Sequence, residues 1–227
     1  MQLSNAQNIA PKQYTIAIPT LPYEFVAANA SGATRTQLES FIKEGFHKKY
    51  QADVNTFMPL LLGIQARGLK AVVGIRRGNE PLFTEQYLPA SITEILQEHG
   101  IWTDRHNVAE LGNLYSQNQR FTLPLLMTVV MSLYLSDVDY LVFSGTKTVC
   151  QLLEKLKLPM TFLADANPKR LVNAEKQWGS YYQNSPKVML LDVKKSVSIA
   201  LMQPELEALL ELVKMHLQPL LLQMEEL

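Results

Sequence analysis

The sequence predicts an α/β or α+β fold: a single domain with a mixed central β-sheet flanked by helices. Three observations predict it. Apolar runs with strand spacing alternate with segments of helical spacing along most of the 227 residues. Cap and turn residues separate these segments at short intervals. No repeat or low-complexity linker divides the chain. Residues 35–202 therefore read as one domain, 1–34 as an N-terminal extension and 203–227 as a Leu-rich C-terminal helical arm.

The elements follow in order. Tyr14–Ile18 reads as an edge strand. Thr34 can cap a helix over Arg35–Tyr50, with Gln37 three residues on. Leu38, Phe41, Ile42, Phe46 and Tyr50 share one face of it. His47, Lys48 and Lys49 fall in its last turn, where the helix dipole favours cations. Leu60–Gln65 and Lys70–Arg76 read as two strands around Ala66-Arg67-Gly68. Pro81–Leu88 alternates weakly and reads as a third extended piece. Ser91-Ile92-Thr93-Glu94 is a capping box for a short helix that ends at Gly100. Val108–Tyr115 reads as a strand. Thr122–Leu135 is a helix apolar almost all round, which needs cover on both sides.

Tyr140–Ser144, an apolar run bounded by Gly145, reads as a central strand. Lys147–Leu156 has helical spacing that puts Cys150 in the core. Met160–Leu163 is a further strand. Asn167-Pro168 opens a helix running to Trp178 and stopping at Gly179. Val188–Val193 and Val197–Leu201 read as a hairpin about Lys194-Lys195. Gln203-Pro204 opens the last helix, which Pro219 kinks or ends. Its stripe of Leu206, Leu209, Leu210, Val213, Leu217, Leu220 and Leu221 sits beside acidic positions, which favours packing or dimerisation over a lipid surface.

Composition removes several classes of function. At 47% hydrophobic and 19% charged residues, disorder is excluded. Lys+Arg and Asp+Glu both number 21, and this balance argues against nucleic acid as partner. A single Cys excludes a disulfide framework and a multi-Cys zinc site. His99 and His106 flank Trp102 but make no metal motif. The uncharged run Phe121–Ser136 falls short of the roughly twenty residues of a spanning helix. No secretory signal is visible, so a cytoplasmic, bacterial-type location is expected.

Two carboxylates stand out. Glu110 lies mid-strand and Glu85 lies within Pro81–Leu88, both among apolar or aromatic residues. Burial would raise their pKa values and suit them to general base work. The plainer alternative is that each faces solvent or pairs with Arg76 or Arg77. Tyr115–Thr122 joins a strand to a long helix, where free amides and Arg120 could hold phosphate. Tyr181 and Tyr182 could protonate a leaving group or fill the core.

Four motifs in order, Pro81–Leu88, Ala109–Leu114, Ala164–Pro168 and Trp178–Tyr182, resemble the bacterial thermostable hemolysin family over residues 35–195. The resemblance implies a GNAT-like acyltransferase fold, close to the acyl-homoserine lactone synthases. Those synthases carry Trp-Glu-x-x-Arg on the central strand beside the acyl donor. Here Glu110 matches the Glu, but Asn113 replaces the Arg, which speaks against lactone synthesis itself. Gln119–Pro124 keeps the start of the acyltransferase phosphate loop and lacks its glycines.

The resemblance implies an N-acyltransferase moving a fatty acyl group from acyl-CoA or acyl carrier protein to a small amine. Glu110 would be the base, Glu85 would orient the acceptor ammonium and Tyr182 would be the acid. Leu114, Tyr115 and Ser116 would pair with the pantetheine arm, and amides near Arg120 and Phe121 would hold its phosphate. No tightly bound cofactor or metal is implied; the phosphopantetheine thioester is a co-substrate. A homodimer through the C-terminal helix is one further expectation. Two other readings are a membrane-active hemolysin, acting through Phe121–Leu135 or the C-terminal helix, and a non-catalytic acyl-thioester-binding module.

Overall fold

The computed structural model describes residues 23–29, 31–214 and 216–225; the strand expected at Tyr14–Ile18 lies outside them. Seven strands form one mixed sheet: β1 (Glu24–Ala28), β2 (Leu60–Gln65), β3 (Leu69–Arg77), β4 (Val108–Ser116), β5 (Tyr140–Gly145), β6 (Met160–Asp165) and β7 (Lys187–Asp192). Their spatial order is β1-β2-β3-β4-β5-β7-β6. β1 to β4 are successively antiparallel, β4 and β5 are parallel, and β7 lies antiparallel to both β5 and β6. β1 falls inside the segment read as an N-terminal extension and edges the sheet beside β2.

Period-two alternation assigns the two faces of the sheet. Leu60, Leu62, Val73, Ile75, Ala109 and Leu111 point to one side, where α3 (Gln119–Leu135), α4 (Lys147–Lys155), α6 (Val193–Leu201), α7 (Pro204–Lys214) and α8 (Gln218–Met224) close the larger core. On the other side, Leu61 and Val72 meet α1 (Ala33–Tyr50). There too, Val108, Val142 and Leu190 meet α2 (Ile92–Glu98). Glu110 alternates onto this second face.

All thirteen residues Phe121–Leu133 of α3 are buried, since the sheet covers one side and α6 and α7 the other. Its interior hydroxyls bond back along the helix: Thr128 donates to the Pro124 carbonyl and Ser132 to the Thr128 carbonyl, each at 2.7 Å. α2 opens with the expected capping box at Ser91. Cys150 is buried, and burial raises its thiol pKa.

Four local expectations are corrected. Pro81–Leu88 is not extended; Phe83–Tyr87 forms a 3-10 turn. The proposed hairpin is strand β7 followed by helix α6. Asp192 caps that helix by accepting from the Lys195 amide, and Val193, Val197 and Ala200 bury one face. The helix expected over residues 167–178 splits into a 3-10 turn at Pro168–Arg170 and α5 (Ala174–Trp178), because Asn173 takes a left-handed φ of 56°. α1 starts at Ala33 without a side-chain cap from Thr34.

The C-terminal stripe is used within the chain. Leu206, Leu209, Leu210 and Val213 of α7 and Leu217 and Leu220 are buried in the larger core. The stripe itself is therefore occupied within the chain. No helix among the described residues is long and apolar enough to cross a membrane.

Candidate active site

A cleft opens where two neighbouring strands part. The parallel pairing of β4 and β5 runs from Val108 and Tyr140 to Leu111 and Phe143. β4 continues to Ser116 and β5 to Gly145. β4 bends at a bulge. Val72 pairs with Tyr115 and Gly74 with Gly112, so Asn113 and Leu114 stand opposite Val73 alone. Asn113 takes a φ of 50° there. The resulting cleft has a volume of about 340 Å3 and is lined by both strands, the 3-10 turn at residues 83–87, the start of α4 and residues 178–182.

Glu110 faces this cleft and is 0% exposed. Its two oxygens accept the amides of Phe83, at 2.8 Å, and Thr84, at 2.6 Å. Burial pushes its pKa above the ordinary carboxylate value; the amide hydrogen bonds and the charge of Arg76 act downward without cancelling the rise. Arg76 is the residue directly opposite on β3 and also lines the cleft. Its Nη1 donates to the Pro81 carbonyl at 2.8 Å, while its buried Nε has no acceptor among the described residues.

Asn113 fixes the rim. Its Oδ1 accepts from the Met58 amide at 2.8 Å and its Nδ2 donates to the Thr56 carbonyl at 3.1 Å. Met58 then lies across β4 at Gly112, where an added Cβ would come within 2.4 Å of the Met58 methyl group.

One wall is aromatic. Trp178 lies with its ring centroid 5.7 Å from Phe83 and 6.4 Å from Tyr182. Its buried indole Nε1 has no acceptor among the described residues. Gly179, at φ 51°, turns the chain so that the Ser180 amide donates to the Tyr50 carbonyl at 2.8 Å. The hydroxyls of Tyr87 and Tyr182 are 2.5 Å apart, and Tyr181 donates to the Ser144 carbonyl at 3.2 Å. Burial raises all three Tyr pKa values, that of Tyr182 to about 12, so each is neutral at physiological pH.

Of the residues singled out in the sequence, Glu110, Tyr182, Leu114 and Ser116 line the cleft. Glu85 lies outside it. Its oxygens accept from Arg105, at 2.5 Å and 3.1 Å, and from the amides of Leu82 and Ile92. Burial acts to raise its pKa, but Arg105 and the two amides hold it below the ordinary value. Glu85 thus staples the 3-10 turn to α2, with Arg105 as its partner rather than Arg76 or Arg77. Tyr115 turns into the α1 packing, its ring centroid 5.3 Å from Phe41. Phe121 is 2% exposed in the core, and Arg120 stacks over its ring at 4.8 Å. The amides of Arg120 and Phe121 donate to the side chain and carbonyl of Asn118. That cap occupies the amides expected to hold phosphate.

Arg76, Asn113 and Trp178 were not read as site residues. For Arg76 the signal was present: in a strand ending at residue 77, alternation puts it on the face of Gly74. No local pattern announces that Asn113 holds a segment 55 residues away.

The folded chain is similar to solved synthases. The AHL synthase LasI superposes with a TM-score of 0.53 at 11% identity, over 76% of this chain and 89% of that one. FeeM, an N-acyl amino acid synthase from uncultured soil microbes, gives 0.53 at 14% identity, over 78% and 95%. TofI in its apo form gives 0.53 at 10% identity, over 81% and 99%. At these identities the likeness establishes the GNAT-like fold. No curated protein matches the sequence. The family model for thermostable hemolysin matches residues 28–197, well over half of the chain, and the protein belongs to the thermostable hemolysin family.

Proposed function

We propose that this protein is an N-acyltransferase that moves a fatty acyl group from an acyl thioester to an amine. The observation that carries the reading is Glu110, a buried carboxylate with raised pKa, facing a cleft between splayed parallel strands. Beyond Leu111 the pairing of β4 with β5 ends while that with β3 continues, and this β5-facing edge suits the amide-rich pantetheine arm, which would pair with it at Leu114 and Ser116. The aromatic wall and Phe143, Val149 and Leu152 supply apolar surface for the acyl chain.

In the transfer step the amine nitrogen attacks the thioester carbonyl carbon. A C–N bond forms and the C–S bond breaks. Glu110, directly or through one water, takes the proton lost by the amine. The departing thiolate takes a proton from Tyr182, which solvent restores. With Tyr87 donating to Tyr182, the Tyr182 proton is left for the cleft. Glu85 and Arg105 act as positioning residues, since they fix the turn whose amides hold Glu110. The Asn118 cap weakens the case for a pyrophosphate site at the start of α3. It favours acyl carrier protein, with its single phosphate, over acyl-CoA. The similarity to LasI, an AHL synthase, and to FeeM, an N-acyl amino acid synthase, supports this reading. An N-acylated amphiphile would itself disrupt membranes, which would connect acyl transfer with the haemolysis in the family's name.

The test is mass spectrometry of lipid extracts from cells producing the wild type or Glu110→Gln. A new N-acylated amine present with the wild type alone is expected. Identical extracts would contradict the reading.

A further inference from the structure

We infer that the acceptor is an α-amino acid, bound between Arg76 and Glu110 with its side chain on the aromatic wall. The inference rests on the acyltransferase reading and names its acceptor class. Arg76 and Glu110 are opposite partners on antiparallel strands, so both side chains leave the same face of the sheet, and both line the cleft. Glu110 takes its hydrogen bonds from two backbone amides and Arg76 gives one to the Pro81 carbonyl. Neither charge is consumed by the other.

Two buried N–H donors in the cleft wall, Arg76 Nε and Trp178 Nε1, lack acceptors among the described residues, beside the unpartnered hydroxyls of Thr84 and Ser144. Buried N–H groups are almost always paired in folded proteins, so a ligand that brings an acceptor completes this site. A carboxylate suits Arg76, whose planar guanidinium is held at Nη1 by the Pro81 carbonyl and whose buried Nε has no acceptor among the described residues. The carboxylate and amine of an α-amino acid are separated by one carbon. They match a cation and an anion on directly opposed strand positions. The amine then faces Glu110, the proposed base, and the side chain meets Phe83 and Trp178. An amine without a carboxylate would leave Arg76 Nε unpaired.

The purified protein is given an acyl carrier protein or CoA thioester and matched acceptors: phenylalanine with phenethylamine, and tyrosine with tyramine. N-acyl products are quantified by mass spectrometry. At least a tenfold preference in kcat/KM for each amino acid over its decarboxylated partner is expected. Arg76→Gln should raise the amino-acid KM and collapse that preference, and Arg76→Lys, which keeps the charge, should recover part of it. Equal use of amines and amino acids, or an Arg76→Gln enzyme that keeps the preference, overturns the amino-acid site while acyl transfer stands. No product with any acceptor overturns the acyltransferase reading instead. The site is then decided by calorimetry: phenylalanine binding that exceeds phenethylamine binding, is lost in Arg76→Gln and is partly kept in Arg76→Lys upholds it, and no difference overturns it.

Discussion

Replacing Glu110 by Gln turns an amide N–H toward the amide of Phe83 or Thr84, where a carboxylate oxygen now accepts. That mismatch costs about 1–3 kcal/mol, and loss of a buried charge offsets part of it. The balance depends on pH with a definite sign. The folded-state pKa of Glu110 is raised, so the native chain holds a proton that the unfolded chain has lost. Its contribution to stability therefore falls as pH rises from the ordinary carboxylate value through the raised one. Denaturant unfolding between about pH 5 and about pH 8 should show Glu110→Gln gaining on the wild type as pH rises. Glu85 has the opposite sign. Its pKa is depressed, so its stabilisation is present above the unfolded value and is lost as pH falls through the folded one. Glu85→Ala removes the carboxylate acceptor of Arg105, which keeps the Gly78 and Glu80 carbonyls, and leaves the amides of Leu82 and Ile92 without theirs. Each such hydrogen bond to a charged group is worth about 1.5–3 kcal/mol, so a melting point lower by several degrees is expected. Transfer should fall with it, because the turn that holds Glu110 loosens.

The cleft is made by elements acting on one another, and Asn113 shows how. Its side chain ties the 56–58 segment to the bulge of β4. Asn113→Ala should free that rim and raise the KM for the acyl donor more than it lowers kcat. Steady-state kinetics at saturating acceptor would separate the two effects. Gly179→Ala places a Cβ 2.2 Å from the Tyr50 carbonyl at a φ that L residues disfavour. It should displace Trp178 and be read as a loss of indole fluorescence shift on ligand binding.

Elements were legible where period and caps agree. β2, β3, β4, β5 and α3 follow from apolar spacing, and α2 from its capping box. The β-branched side chains of Val193, Val197 and Ile199 predict a strand where α6 forms, and the decisive signal is the Asp192 cap. The 83–87 turn does not follow from its own alternation, because its shape is imposed by Glu110 and Glu85, the first of them 26 and 27 residues away. Glu110 itself was legible as a charge inside an apolar strand. The partners that complete its site come from other strands and turns, and spacing along one element does not reveal them.

At the scale of the whole molecule, the long apolar surfaces are turned inward. α3 lies between the sheet and the C-terminal helices, and Leu206, Leu209 and Leu210 are 0% exposed. Leu209→Ala should cost about 2–5 kcal/mol in denaturant unfolding through the cavity it leaves. Because these surfaces are occupied, the folded protein should leave liposomes intact when no acyl thioester is supplied. Dye leakage from liposomes by protein alone would contradict this arrangement. The central claim is that Glu110, in the cleft between β4 and β5, is the base of acyl transfer to an amine. It is tested most directly by turnover of purified wild type and Glu110→Gln across pH, with an acyl thioester, an amino-acid acceptor and a check that both proteins are folded. Wild-type turnover should rise as a group titrates above the ordinary carboxylate range, and Glu110→Gln should lose about 100-fold or more and lose that titration. A folded Glu110→Gln protein with wild-type turnover and an unchanged pH profile would contradict it.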